Sequence, residues 1–149
     1  MRLAALAAFS AAVLAACGGG DGSGERLSEE EFREQANAIC ADYNEQIADL
    51  GTPTSPADIP DYVERGIPII EEGIAKLREL NPPEELADDY DRMLDETEKA
   101  IPAARQLSEA AADQDAEAVQ EAISLGQEAD AESDRVAREL GLDECASEE

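Results

Sequence analysis

From Leu27 to Leu140 the chain repeats one pattern: apolar residues return at three- and four-residue steps with charged residues between them. That period belongs to an amphipathic α-helix, which buries one face and wets the other. The first run predicts a helix from about Ser28 to Leu50, with Phe32, Ala36, Ile39, Cys40, Tyr43, Ile47 and Leu50 on its stripe. Ser28 and Glu31 stand at capping-box spacing, and Leu27 and Phe32 are placed as a hydrophobic staple. Gly51 is the expected stop.

A proline-rich loop, Thr52 to Pro60, leads to a second helix over about Ile59 to Leu80. Its stripe is Ile59, Tyr62 or Val63, Ile67, Ile70, Ile74 and Leu77. Pro68 interrupts it, offering no N–H to the carbonyl of Glu64 and crowding that turn, so a kink is expected. Asn81-Pro82-Pro83 ends this helix and opens the next, because proline suits a first turn. The third helix is predicted over Glu84 to Ala112, with Leu86, Tyr90, Leu94, Thr97, Ile101, Ala104 and Leu107 inward and Pro102 as a second interruption. Asp113-Gln114-Asp115 reads as a turn and a new cap. The fourth helix follows to Leu140, with Val119, Ala122, Gly126, Ala129, Val136 and Leu140 inward. Gly141-Leu142 has the form of a Schellman ending.

Four pairs run acid-first at i, i+4: Glu29/Arg33, Glu72/Lys76, Asp95/Lys99 and Asp134/Arg138. Each is worth roughly 0.2–0.5 kcal/mol to its helix. Four amphipathic helices with short links predict an all-α, up-down-up-down four-helix bundle. Pro68 and Pro102 are expected to curve their helices around the core; the alternative is that they open a groove in the bundle, since kinked helices leave carbonyls free.

Before the bundle stands a different kind of sequence. Arg2 is followed by an apolar run from Leu3 to Leu14 that contains one serine. It is too short for a stable membrane span, which takes about 20 residues, and has the length of a signal-peptide core. Leu14-Ala15-Ala16-Cys17 resembles the lipobox of bacterial lipoproteins at all four positions. The resemblance implies acylation of Cys17 with diacylglycerol and cleavage before it. The expected organisation is therefore a signal peptide at 1–16, a lipidated flexible tether at 17–26 and the helical domain at 27–149. The glycine-rich tether from Gly18 to Arg26 has a root-mean-square span of roughly 15–18 Å. The expected location is the extracytoplasmic face of the cell membrane.

Composition narrows the chemistry. There are 37 acidic residues against 11 basic ones, a net charge of −26, and no histidine. Cleavage removes Arg2 and no acid, which takes the mature charge from −26 to −27. Such a surface repels nucleic acid, whose binding needs a basic face. Without histidine there is no Ser-His or Cys-His dyad, no zincin motif and no His-Glu di-metal site. Asp113-x-Asp115-x-Glu117 falls short of a calcium loop, having Ala118 at position six and Ser124 at position twelve. It reads better as a charged helix start. No catalytic residue, metal site or cofactor is expected.

The stretch Phe32-Arg33-Glu34-Gln35-Ala36-Asn37-Ala38-Ile39-Cys40 and the ending Gly141-Leu142-Asp143-Glu144-Cys145 resemble a group of small exported helical proteins of high-GC Gram-positive bacteria. Pro68 and Pro82-Pro83 fit the same pattern. The resemblance implies the fold and a disulfide and supplies no activity. With Cys17 acylated in an oxidising compartment, Cys40 and Cys145 are the one pair left. The tail after Leu140 is long enough to turn back along the first helix. The alternative is two free buried thiols, since cysteine is also a small core residue. The expected function is a non-enzymatic binding or accessory module whose partner is an envelope protein or small ligand. The alternative is a low-affinity binder of divalent cations or cationic ligands on the acidic surface.

Overall fold

A computed structural model describes residues 25–147. The expected signal peptide at 1–16, Cys17 and the glycine-rich run that follows it lie outside the described residues. Four helices form: α1 over Glu29–Asp49, α2 over Ile59–Arg78, α3 over Glu84–Ala112 and α4 over Ala116–Leu140. No strand occurs among the described residues, and no described helix is long and apolar enough to cross a membrane.

The expected signals start and stop these helices. The Ser28 hydroxyl accepts from the amide of Glu31 at 3.3 Å, and the Glu31 carboxylate accepts from the Ser28 amide at 3.1 Å. The Ser28 hydroxyl, donating to the Glu31 carboxylate at 2.6 Å, and then the Ser28 amide hold the Glu31 carboxyl below its usual range. Asp115 caps α4, accepting from the amides of Glu117 and Ala118 at 3.1 Å each. Its carboxylate is thus spent on a helix end, as the charged-start reading expects. Gly141 takes the left-handed conformation, with φ 75°, and the Leu142 amide donates to Ala137 O at 2.8 Å. That is the Schellman closure.

Contacts between neighbouring helices run in opposite directions along the two partners, so the order is up, down, up, down. On α1 and α2, Leu50 faces Gly66 and Tyr43 faces Gly73. On α2 and α3, Arg105 pairs with Glu71 and Arg78 with Glu98. On α3 and α4, Ala103 faces Gly126 and Thr97 meets Ser133. The end of α4 reaches the start of α1, where Arg33 Nε donates to Leu140 O at 2.7 Å.

Cys40 and Cys145 form the disulfide that closes the bundle, with Cα atoms 5.0 Å apart. Around it lies the core: Phe32, Ala36, Leu77, Tyr90, Met93, Leu94, Val136, Ala137, Leu140 and Leu142. Phe32 meets Tyr90 edge to face, with ring centroids 4.8 Å apart. The Tyr90 hydroxyl donates to Leu77 O at 2.8 Å, and burial pushes its pKa well above the ordinary tyrosine range.

Three expectations are corrected. The Asp95/Lys99 pair does not form: Lys99 pairs with Glu96 at 2.6 Å, and Asp95 with Arg78 of α2 at 3.0 Å. An arginine held between Asp95 and Glu98 satisfies more charge than an i, i+4 lysine does. The Thr52–Pro60 loop carries a short 3-10 turn, Pro56–Asp58, knitted by Asp58 accepting from Thr54 and Ser55. Tyr43, Ile47 and Leu50 are only half-buried. They pack toward α2, and α4 does not cover them.

Candidate functional site

The uncovered stretch of α1 sets up the site. α1 packs along α2 and against the tail, and it meets α4 only near its own start. Beyond Cys40 the first and fourth helices are separated by a groove of about 690 Å³. Ligand pockets commonly measure about 300–1,000 Å³.

The groove has an apolar floor and a polar rim. Ile70, Gly73, Ile74 and Leu77 of α2 and Met93 of α3 form the floor. Ile39, Tyr43 and Ala48 of α1 form one side. Tyr43 packs over Gly73, where a Cβ would stand in van der Waals contact with the ring at 3.4 Å. Burial pushes the Tyr43 hydroxyl above its ordinary pKa, and Asp130 adds to the shift.

On the opposite side, Thr97 Oγ1 donates to Met93 O at 2.9 Å, and Thr97 and Ser133 are bonded to each other at 2.8 Å. Ser133 Oγ also lies 3.4 Å from Met93 O. Both hydroxyl protons are therefore used inside the protein, and what this pair keeps is acceptor lone pairs. Every buried side-chain nitrogen and oxygen among the described residues has a partner.

The rim is acidic, with Glu45, Asp130, Asp134, Asp143 and Glu144. Asp134 is engaged: it accepts from the Ser147 amide at 3.0 Å and pairs with Arg138 at 3.7 Å. Asp130 has no ion pair among the described residues. It keeps solvent access, yet the surrounding helices desolvate it and Asp134 repels it, so its carboxyl is raised above the usual range. No lysine or arginine lines the groove.

The tail is the groove's upper wall. Asn37 is its clamp: Nδ2 donates to Gly141 O at 3.2 Å and Oδ1 accepts from the Glu144 amide at 3.0 Å. Asn44 Nδ2 donates to Glu144 O at 2.8 Å. Sequence reasoning passed over Asn37, Asn44, Thr97's partner Ser133, and Asp130. Polar residues beside an apolar stripe look solvated until a partner segment is placed against them. One signal was available: Asn37 and Asn44 are seven apart and therefore share a face with Cys40 between them.

The prolines do not make this groove. Pro68 and Pro102 are both exposed within continuous helices, and neither lines it. Pro102 borders a separate depression of about 420 Å³ between α2 and α3, alongside Arg78, Glu98 and Glu71. Those side chains already pair across it.

Among the described residues no group of three or more Cys, Asp or Glu side chains is placed to hold a metal ion. No family model, curated protein or solved structure matches the chain.

Proposed function

We propose that the chain is a lipid-anchored, non-enzymatic binding module on the extracytoplasmic face of the cell membrane. The observation that carries the binding reading is the groove itself. It is a ligand-sized concavity with an apolar floor, walled by a tail that a disulfide and two asparagines hold in place. Such a fixed wall favours binding, because a preorganised site loses less freedom when a ligand arrives. The anchoring reading rests on Leu14-Ala15-Ala16-Cys17 and the glycine-rich run behind it. A tether of that kind keeps the domain close to the lipid while leaving it free to turn.

The second reading, divalent cations on the acidic face, has no preassembled carboxylate cluster to support it among the described residues. Calorimetry with calcium and with magnesium separates the two readings.

The anchor is tested by mass spectrometry of the membrane fraction. The expected N-terminus is Cys17 carrying at least two acyl chains, since a single chain gives only reversible attachment. Cys17→Ala should abolish the modification. Intact wild-type protein that is wholly soluble and unacylated would overturn the reading.

A further inference from the structure

We propose that the groove between the second half of α1 and the α3–α4 pair binds a small organic cation with an apolar body, such as an aryl- or alkyl-substituted ammonium. The proposal rests on the reading of the domain as a binding module and deepens it by naming the ligand class.

Four observations lead to it. The floor is apolar and uncharged, with half-buried Ile70 its most open residue and Ile74, Leu77 and Met93 closing it from beneath. A ligand seated there must bring apolar surface, because burying a polar group without a partner is costly. Second, the rim is of one sign, and no basic side chain lines the groove. Glu45, Asp130, Asp143 and Glu144 have no ion-pair partner among the described residues. The basic side chains are occupied elsewhere: Arg33 with Glu29, Arg78 with Asp95 and Glu98, and Arg135 with Glu132 and Glu139. A rim of one sign favours a ligand of the opposite charge.

Third, the hydroxyls of Thr97 and Ser133 have spent their protons on Met93 O and on each other. They meet a ligand as acceptors, which suits an ammonium N–H or a polarised methyl and disfavours an anion. Fourth, Tyr43 packs on Gly73 at the groove's side, and Asp130 lines the same groove. An aromatic ring beside a carboxylate is the combination that holds alkylammonium groups, through the ring's negative face and the opposite charge. A free metal ion would use none of the apolar floor, and a neutral apolar ligand would leave the rim charges uncompensated.

The test uses the whole mature lipoprotein in nanodiscs of zwitterionic lipid, with empty nanodiscs as the blank. Three probes are titrated by calorimetry and followed by amide NMR: benzyltrimethylammonium, benzyl methyl ether as its neutral counterpart, and tetramethylammonium as the charge alone. The expected result is that benzyltrimethylammonium shifts the amides of Tyr43, Gly73, Thr97 and Asp130. It should bind about tenfold more tightly than either other probe, and added salt should weaken it. Asp130→Asn should lose severalfold in affinity for the cation and none for the ether. Circular dichroism checks that this variant is folded.

Equal affinity for the cation and the ether would overturn the ligand class and leave the binding-module reading standing. Cation shifts scattered over the acidic surface would overturn the proposal by reducing it to counterion attraction. Failure of all three probes to bind would overturn it too, while the acylation result would decide the anchored-module reading separately.

Discussion

The two ends of the bundle are built differently. At the end that holds the disulfide, the largest fully buried side chains gather: Tyr90, Phe32, Met93, Leu94, Leu140, Leu142 and Val136. At the other end the buried positions are Val63, Gly66, Ile67, Ala103, Ala110, Ala111, Ala122 and Ala129. Small residues let α3 and α4 approach closely, as at Gly126 and Ala103. The second half of α1 rests on α2 and the tail without reaching α4, and the space beside it is the groove. The difference teaches that stability and recognition are separated along one axis. A dense end fixes the tail, and the tail fixes the groove wall.

The comparison can be broken most severely at the disulfide. Cys40→Ala with Cys145→Ala removes a closed loop of 105 residues. Loss of chain-entropy stabilisation alone is about 4–5 kcal/mol for such a loop, and measured native cases run about 2–5 kcal/mol. Urea unfolding should register a loss in that range. A loss under about 1 kcal/mol would mean that packing and the asparagine clamp hold the tail unaided. Thiol counting on the denatured, non-reduced wild-type domain should find no reactive group at Cys40 or Cys145.

Truncating one aromatic at each end sharpens it. Phe32→Ala empties a site that is 0% exposed and should cost about 3–5 kcal/mol. Tyr43→Ala, at a half-buried groove position, should cost about 1 kcal/mol. Equal losses in thermal unfolding would contradict the division into a dense and an open end.

Asn37→Ala tests the clamp. It removes two hydrogen bonds to the tail, worth about 1 kcal/mol each. Amide exchange at Leu142 to Ser147 should speed up, while α3 and α4 keep their protection. Unchanged exchange in the tail would show that the disulfide suffices.

The smallest effect belongs to Asp130. Its folded pKa is raised, so ionisation favours the unfolded chain. The cost is present above the folded pKa and fades as pH falls through it toward the ordinary value of 3.8. The charged or titratable groups around it are Asp134 on α4, Tyr43 and Glu45 on α1, and Asp143 and Glu144 on the tail. Asp130→Asn should therefore melt slightly higher than wild type at pH 7, and the gap should close near pH 3.5. A variant less stable at pH 7 would mean the carboxylate has a stabilising contact.

Much of the fold was readable along the chain. Ser28 and Glu31, Asp115, and Gly141 with Leu142 act within a few residues of themselves. Local signals of that kind need no knowledge of the rest of the molecule. The period of the stripes marked four helices, and Cys40 and Cys145 were the expected pair, which the structure joins. A stripe, however, says which face of a helix seeks cover and not which neighbour supplies it. Tyr43, Ile47 and Leu50 continue the stripe of Phe32, Ala36 and Cys40 without a break, yet α4 covers only the first part. That outcome depends on how closely α3 and α4 pack on each other and on the tail wedged beside α1. These elements begin more than thirty residues beyond α1 along the chain and meet it only after folding. Helix identity, caps and the disulfide pair were written in neighbouring or unique residues. The groove, the Asn37 clamp, the Thr97–Ser133 pair and the isolation of Asp130 were decided by packing, because each depends on the distance between helices.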